Sequence, residues 1–385
     1  MVLLDCNRGA FAWSMLMAAV LSCSGCAAVI EPRPTVAPPA QDVAPGLWWS
    51  GVSDPVLTRL IEQGFSDREA LTCRALALKA ADARILSVAP PVRGGLFARR
   101  ARRASPGFAY DEVRSRLALA IGSAYLDARL ARDRLALREA ALAALRDNRE
   151  IAGFRREAGL VSGLDLGLSG LIVALDDSSI ETARADLARA IARLATVSGL
   201  DAAQLQDTIL GEDRLALFDA GEAVAPETAL AHRADLLALR QSLFDSGAAR
   251  KIAPAALDGD DPGPGPAPGP AIAAYRAAVA RARDAVIAAG AARDAARARA
   301  TAQDQVLAGT ARTVADARLD FRLGKQGMAT LYVAEAAALA ARESVAQATA
   351  AFDQAVIALW TAQGRGWSVH DVAPPAAQKS GLACD

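Results

Sequence analysis

At 385 residues the chain could hold two or three globular domains, but its composition points to something more elongated. Ala, Leu, Arg and Asp dominate 54–88, 111–217, 227–250 and 271–363, and only 5% of the residues are aromatic, which favours long helices. Lys plus Arg (43) equals Asp plus Glu (43), so no overall basic field recruits nucleic acid and any charge-led partner is met locally. The two histidines, His232 and His370, stand outside any Ser, Cys or carboxylate cluster; no catalytic residue, metal ligand or cofactor is expected.

Residues 1–25 read as a lipoprotein signal peptide. Arg8 precedes an apolar run from Ala10 to Leu21, about a dozen residues and too short to span a bilayer comfortably. The run Leu21-Ser22-Cys23-Ser24-Gly25-Cys26 ends like a bacterial lipobox, with small residues before a Cys that is acylated and becomes the mature N-terminus. Cys26 is the preferred attachment site and Cys23 the second. The same pair forms a C-x-x-C, but no second Cys pair exists to complete a zinc site. Cys73 and Cys384 are isolated in the sequence. Stable anchoring needs more than one acyl chain, and lipobox processing supplies several. Residues 26–53 are then an acylated tether, Pro-rich over 27–41 and ending near Leu47-Trp48-Trp49.

Asp54-Pro55 opens a helix with Asp as N-cap and Pro in the first turn, and Val56, Leu57, Leu60, Ile61 and Phe65 form one apolar face. The longest periodic pattern follows: Val113, Leu117, Ile121, Ala124, Ala128, Ala131 and Leu135 step by threes and fours in a narrow, Ala-rich stripe suited to close helix packing. A helix over 111–157 would run ~70 Å, and one over 272–322 would be longer. Each long helix is interrupted by a glycine, Gly159 after Phe154-Arg155-Arg156-Glu157-Ala158 and Gly324 after Phe321-Arg322-Leu323. A left-handed glycine there lets the chain turn back into helices over 164–194 and 328–360. Two helix-Gly-helix units so far apart imply a duplicated hairpin. The expected fold is all-α, an elongated coiled-coil-like bundle with one repeat over 54–232, a second over 233–367, and a tail over 368–385.

Two gaps interrupt the helical text. The first, 87–110, contains Ala89-Pro90-Pro91 and the basic run Arg99-Arg100-Ala101-Arg102-Arg103, which suits either anionic headgroups or a solvated loop. The second, 252–270, includes Asp261-Pro262-Gly263-Pro264-Gly265-Pro266, a linker composition. Neither shows the alternation of a membrane β-strand.

Several segments, taken in order, resemble the TolC-type outer-membrane efflux family, in particular its lipoprotein branch associated with resistance-nodulation-division pumps. Cys26-Ala27-Ala28-Val29 with Pro32 to Pro34 is similar to the acylated N-terminus, and Trp49 with Ser53-Asp54-Pro55-Val56-Leu57 and Leu60-Ile61 resembles the opening segment. Ala124-Tyr125-Leu126 resembles part of the first long helix. Arg156-Glu157-Ala158-Gly159-Leu160 with Asp165 resembles the first hairpin tip, and Leu194 to Gly199 the end of the first repeat. Arg233-Ala234-Asp235-Leu236 is similar to the start of the second repeat, with Ala where Pro is usual. Arg322-Leu323-Gly324 with Thr330-Leu331 resembles the second tip, and Gly364-Arg365-Gly366-Trp367 the C-terminal motif.

The resemblance implies a homotrimeric conduit in the outer membrane, lipid-anchored and facing the periplasm. Its hairpin tips would dock on a periplasmic adaptor (membrane fusion) protein joined to an inner-membrane efflux pump. It implies tip residues Gly159, Leu160, Gly324 and Lys325, and a candidate gate of Asp165, Phe321 and Gln326. Phe321 and Gln326 depart from the family's Tyr and Arg, lacking the hydroxyl and the charge such a gate uses; Lys325 is the candidate substitute, and a solvated Asp165 the plainer alternative. His232 reads as a surface residue before a helix, Tyr125 and Phe154 as packing residues. The two gaps are shorter than the family's strand-bearing segments, and a partial barrel would leave backbone groups unpaired in lipid. The expectation is therefore a chain without the transmembrane barrel. The alternative function is a structural or regulatory relative that binds the adaptor without conducting.

Overall fold

The computed structural model describes residues 46–52, 54–86, 108–211, 218–219, 224–246 and 269–367, all within one compact unit, Val43–Asp385. Every regular element among them is helical. After a 3-10 turn at Trp48–Gly51 come α1 (Pro55–Gly64), α2 (Arg68–Ile85), α3 (Phe108–Glu157), α4 (Gly163–Ser198), α5 (Ala202–Gly211), α6 (Pro226–Ala231), α7 (Ala234–Ser246), α8 (Pro270–Arg322) and α9 (Met328–Ala362). None of these helices is long and apolar enough to cross a membrane. Of the two sequence gaps, 87–107 and 252–268, together with the signal and tether segments up to residue 45, Cys23, Cys26, His370 and the tail, lie outside the described residues.

The duplication is plain in the element order. A Pro-initiated helix (α1, α6), a second helix (α2, α7), a very long helix (α3, α8) and its antiparallel return (α4, α9) occur once in each half. With 50 residues in α3 and 53 in α8, the long helices run ~75 and ~80 Å. They begin a few residues before the first clearly periodic position, at Phe108 and Pro270. The largest difference from the sequence reading lies in 54–86, where there are two helices. Phe65 closes α1 and Asp67 opens α2, its carboxylate accepting from the Ala70 N–H at 2.9 Å.

Packing follows the order α8, α9, α3, α4. Each hairpin packs along its own length, and α9 against α3 joins the two, while the outer members α8 and α4 share no substantial contact. The core between the repeats is built on Trp48, Leu57, Ile61, Ile121, Tyr125, Leu194, Val356 and Trp360. Trp48 meets Trp49 edge-on at 5.5 Å and Trp360 at 6.2 Å, fixing the N-terminal tryptophans to the end of α9. A second cluster, with Leu142, Leu145, Val173, Phe321, Leu331 and Tyr332, holds the hairpins together toward their turns. Cys73 is disulfide-bonded and so is not the isolated thiol its sequence position suggests; all other cysteines lie outside the described residues.

Candidate functional site: the hairpin ends and the junction that sets them

Both long helices end in the same turn. At the first, the Gly159 N–H donates to Arg156 O at 3.0 Å and the Leu160 N–H to Arg155 O at 2.8 Å. At the second, Gly324 N–H donates to Phe321 O at 3.0 Å and Lys325 N–H to Asp320 O at 2.9 Å. This is the Schellman pattern, and it needs one left-handed residue, supplied at φ +74° by Gly159 and +73° by Gly324. The return helices start differently. Ser162 caps α4 in a capping box, its Oγ accepting from the Asp165 N–H at 3.1 Å while Asp165 Oδ2 accepts from the Ser162 N–H at 3.3 Å. Gly327 opens α9 with no side-chain cap.

Arg155 ties the two turns into one end. Its Nη1 donates to Phe321 O at 2.6 Å and its guanidinium lies over the Phe321 ring at 4.9 Å, so one cation satisfies a terminal carbonyl of α8 and covers an aromatic face. Nothing in the spacing of the sequence singles out this arginine; its position four residues before Gly159 is the only hint. Around the turns, Phe154, Leu160, Leu164, Leu319 and Leu323 are each more than half exposed, a concentration of apolar side chains at one end of a long body.

Gly159, Leu160, Gly324 and Lys325 lie exposed in these turns. The candidate gate residues are not joined: Asp165 bonds to Ser162, Phe321 is 1% exposed beneath Arg155, and Gln326 is exposed. Among the described residues no hydrogen bond or ion pair links Asp165 to Phe321, Lys325 or Gln326. Tyr125 is fully buried, as a packing residue should be. Phe154 is 63% exposed because it sits on the outer face of the last turns of α3, while Ala152 faces inward.

At the far end of the hairpins, segments distant in sequence interlock. Arg233 Nη1 donates to Ala362 O at 2.9 Å, closing α9, while its Nε and Nη2 hold Asp235 at 3.0 and 2.6 Å. Trp367 Nε1 donates to His232 O at 2.8 Å, and a Cβ on Gly364 (φ +78°) would lie 2.8 Å from the His232 carbonyl. Thus the half-buried His232 precedes a helix as expected, with its backbone under the C-terminal turn. Asp54 caps α1 through Val56 N (3.1 Å) and Leu57 N (3.0 Å) and accepts from the Tyr125 hydroxyl at 2.8 Å, pinning α1 to α3.

Three buried carboxyls accompany this junction. Burial pushes Glu112 to about 7 against its partner Arg116, and Asp82 to about 6. Asp353, fully buried in α9, is pushed to about 7 by desolvation; its Oδ1 accepts from the Phe218 N–H at 2.8 Å and its Oδ2 has no partner. Among the described residues no cluster of three or more His, Cys, Asp or Glu could hold a metal.

No family model and no curated protein matches the sequence. Solved structures do. The outer-membrane channel OprN is 19% identical with a TM-score of 0.65, over 84% of this chain and 93% of that one. The CmeC outer membrane channel of Campylobacter jejuni is 13% identical with a TM-score of 0.61, over 85% and 89%. The outer membrane protein VceC of Vibrio cholerae is 16% identical with a TM-score of 0.57, over 83% and 98%.

Proposed function

We propose that this chain, whose helices take the fold of the TolC-type outer-membrane efflux channels, is the outer-membrane component of a tripartite efflux system and a passive conduit for small molecules. The observation that carries this reading is the shared end: two equivalent glycine turns, bound together by Arg155 and ringed by exposed apolar side chains, at the end of helices long enough to reach far into the periplasm. A periplasmic adaptor protein joined to an inner-membrane pump would dock there, with Leu160 and Lys325 in contact. Cys26, or failing it Cys23, would carry the lipid that holds the chain on the outer membrane, facing the periplasm.

A homotrimer suits the open layer. The edge helix α4 leaves Leu164, Leu171 and Leu175 more than half exposed, and the other edge, α8, leaves Val306 and Leu319 so. Their charges are opposite: α4 carries five acidic and three basic side chains, α8 nine Arg and five Asp. Laying α4 of one copy on α8 of the next would cover both faces, and such head-to-tail contacts generate rings when the rotation closes.

Expression in a bacterial strain lacking its own outer channel tests the role. Restored resistance to pump substrates supports a conduit. Proper export and adaptor binding without restored efflux would favour the second reading, a relative that binds the adaptor without conducting, which the short gaps in the sequence motivate.

A further inference from the structure

We infer that the wall formed by α3, α4 and α9 carries a binding site for a lipophilic organic cation. The site is a cavity of about 340 Å³ lined mainly by apolar side chains, among them Leu145 from α3, Ile172 from α4, and Tyr332 and Leu339 from α9, with the carboxylates of Asp176 and Glu335 beside them. This is within the usual size for a small-molecule pocket, and apolar walls with a few placed polar groups are the usual composition.

The two carboxylates are not equivalent. Glu335 is held by Arg318 through bonds of 2.6 and 2.9 Å, so its charge is already matched. Asp177, next to Asp176, is paired with Arg146 at 2.7 Å. Asp176 makes no side-chain hydrogen bond and no ion pair among the described residues, although it lines a largely apolar cavity. Arg138, the cation whose charge acts on it, is engaged by Glu343 at 2.7 Å. A half-buried anion in such a setting lacks the compensation that buried charge normally finds. Burial accordingly raises the Asp176 carboxyl above its usual value, Arg138 opposing and Asp177 adding to the rise. A monovalent cation with an apolar body would supply the missing charge while covering Leu145, Ile172 and Leu339 beside Tyr332.

A second, more polar cavity of about 540 Å³ lies between the same three helices, beside Asp127, Arg134 and Arg138. There the carboxylates are met: Arg193 and Gln354 bind Asp127, Arg189 binds Asp186 and Arg138 binds Glu343. That contrast places the cation at Asp176. The site does not depend on the conduit reading, because it is a property of one chain's wall.

The test is titration of the purified full chain with benzyltrimethylammonium at pH 8, followed by calorimetry, beside its neutral isostere neopentylbenzene. Saturable binding at one site per chain is expected. Asp176→Asn should weaken it five- to tenfold and Asp177→Asn less than twofold. Ala336→Trp, at an exposed position on the cavity's rim, should abolish binding while leaving the helical circular-dichroism signal intact. Absence of saturable binding to the unaltered chain, equal affinity for the neutral isostere, or an Asp176→Asn variant that binds as the unaltered chain does would each overturn the assignment. If Ala336→Trp fails to fold, the two Asp variants decide alone.

Discussion

Asp353, Glu112 and Asp82 make this structure sensitive to pH. All three have raised native values, to about 7, 7 and 6. The folded chain therefore holds protons that the unfolded chain releases above about pH 4. Stability from these groups is complete below that value and is lost as pH rises through 6 and 7, since the native state binds more protons in that window. Asp353→Asn keeps an acceptor for the Phe218 N–H and removes one titration. Urea unfolding should show the stability difference between pH 5 and pH 8 narrowing by about 2 kcal/mol; an unchanged difference would mean Asp353 is not held protonated. The glycines offer a second test. Gly159→Ala meets open space and bears only the left-handed backbone cost of about 1–2 kcal/mol. Gly364→Ala adds a collision with the His232 backbone and should cost clearly more, read as a larger fall in thermal midpoint.

At the scale of elements, the sequence was most legible where periodicity and caps agree. The Asp54-Pro55 start, the long helices, and the turns at Gly159 and Gly324 follow from local chemistry, and the structure has them within a few residues. The break between α1 and α2 was not read from the sequence, because a lone N-cap such as Asp67 is a weak signal inside a stretch of uniformly helix-forming composition. What could not be read was non-local. Arg155 reaching Phe321, Arg233 closing α9, and Trp367 on His232 join residues more than a hundred positions apart, and no spacing rule predicts which arginine or tryptophan does so. Asp165, named with Phe321 and Gln326 as a candidate gate, has a local task in its capping box within the chain. Arg155→Met removes both the carbonyl bond and the charge at the end of α8. Amide exchange over 319–327 should quicken, while exchange near Trp360 stays unchanged; uniform quickening would deny Arg155 its local role. Far-ultraviolet circular dichroism of the full chain in detergent tests the absence of a barrel, with a helical spectrum expected and substantial strand signal against it.

At the scale of the whole molecule, four long helices form an open layer whose apolar edges and shared end are exposed. Sedimentation in detergent should give a trimer, and Leu171→Glu, on the exposed α4 edge, should shift it toward monomer with little loss of monomer stability. The docking claim is tested most directly in living cells of the native host, with a photo-crosslinking phenylalanine at Leu160 and, for comparison, at the exposed Arg59 on α1. The Leu160 probe should capture a periplasmic adaptor protein, identified by mass spectrometry, and the Arg59 probe should not. The same products from both positions, or no adaptor captured at Leu160, would contradict it.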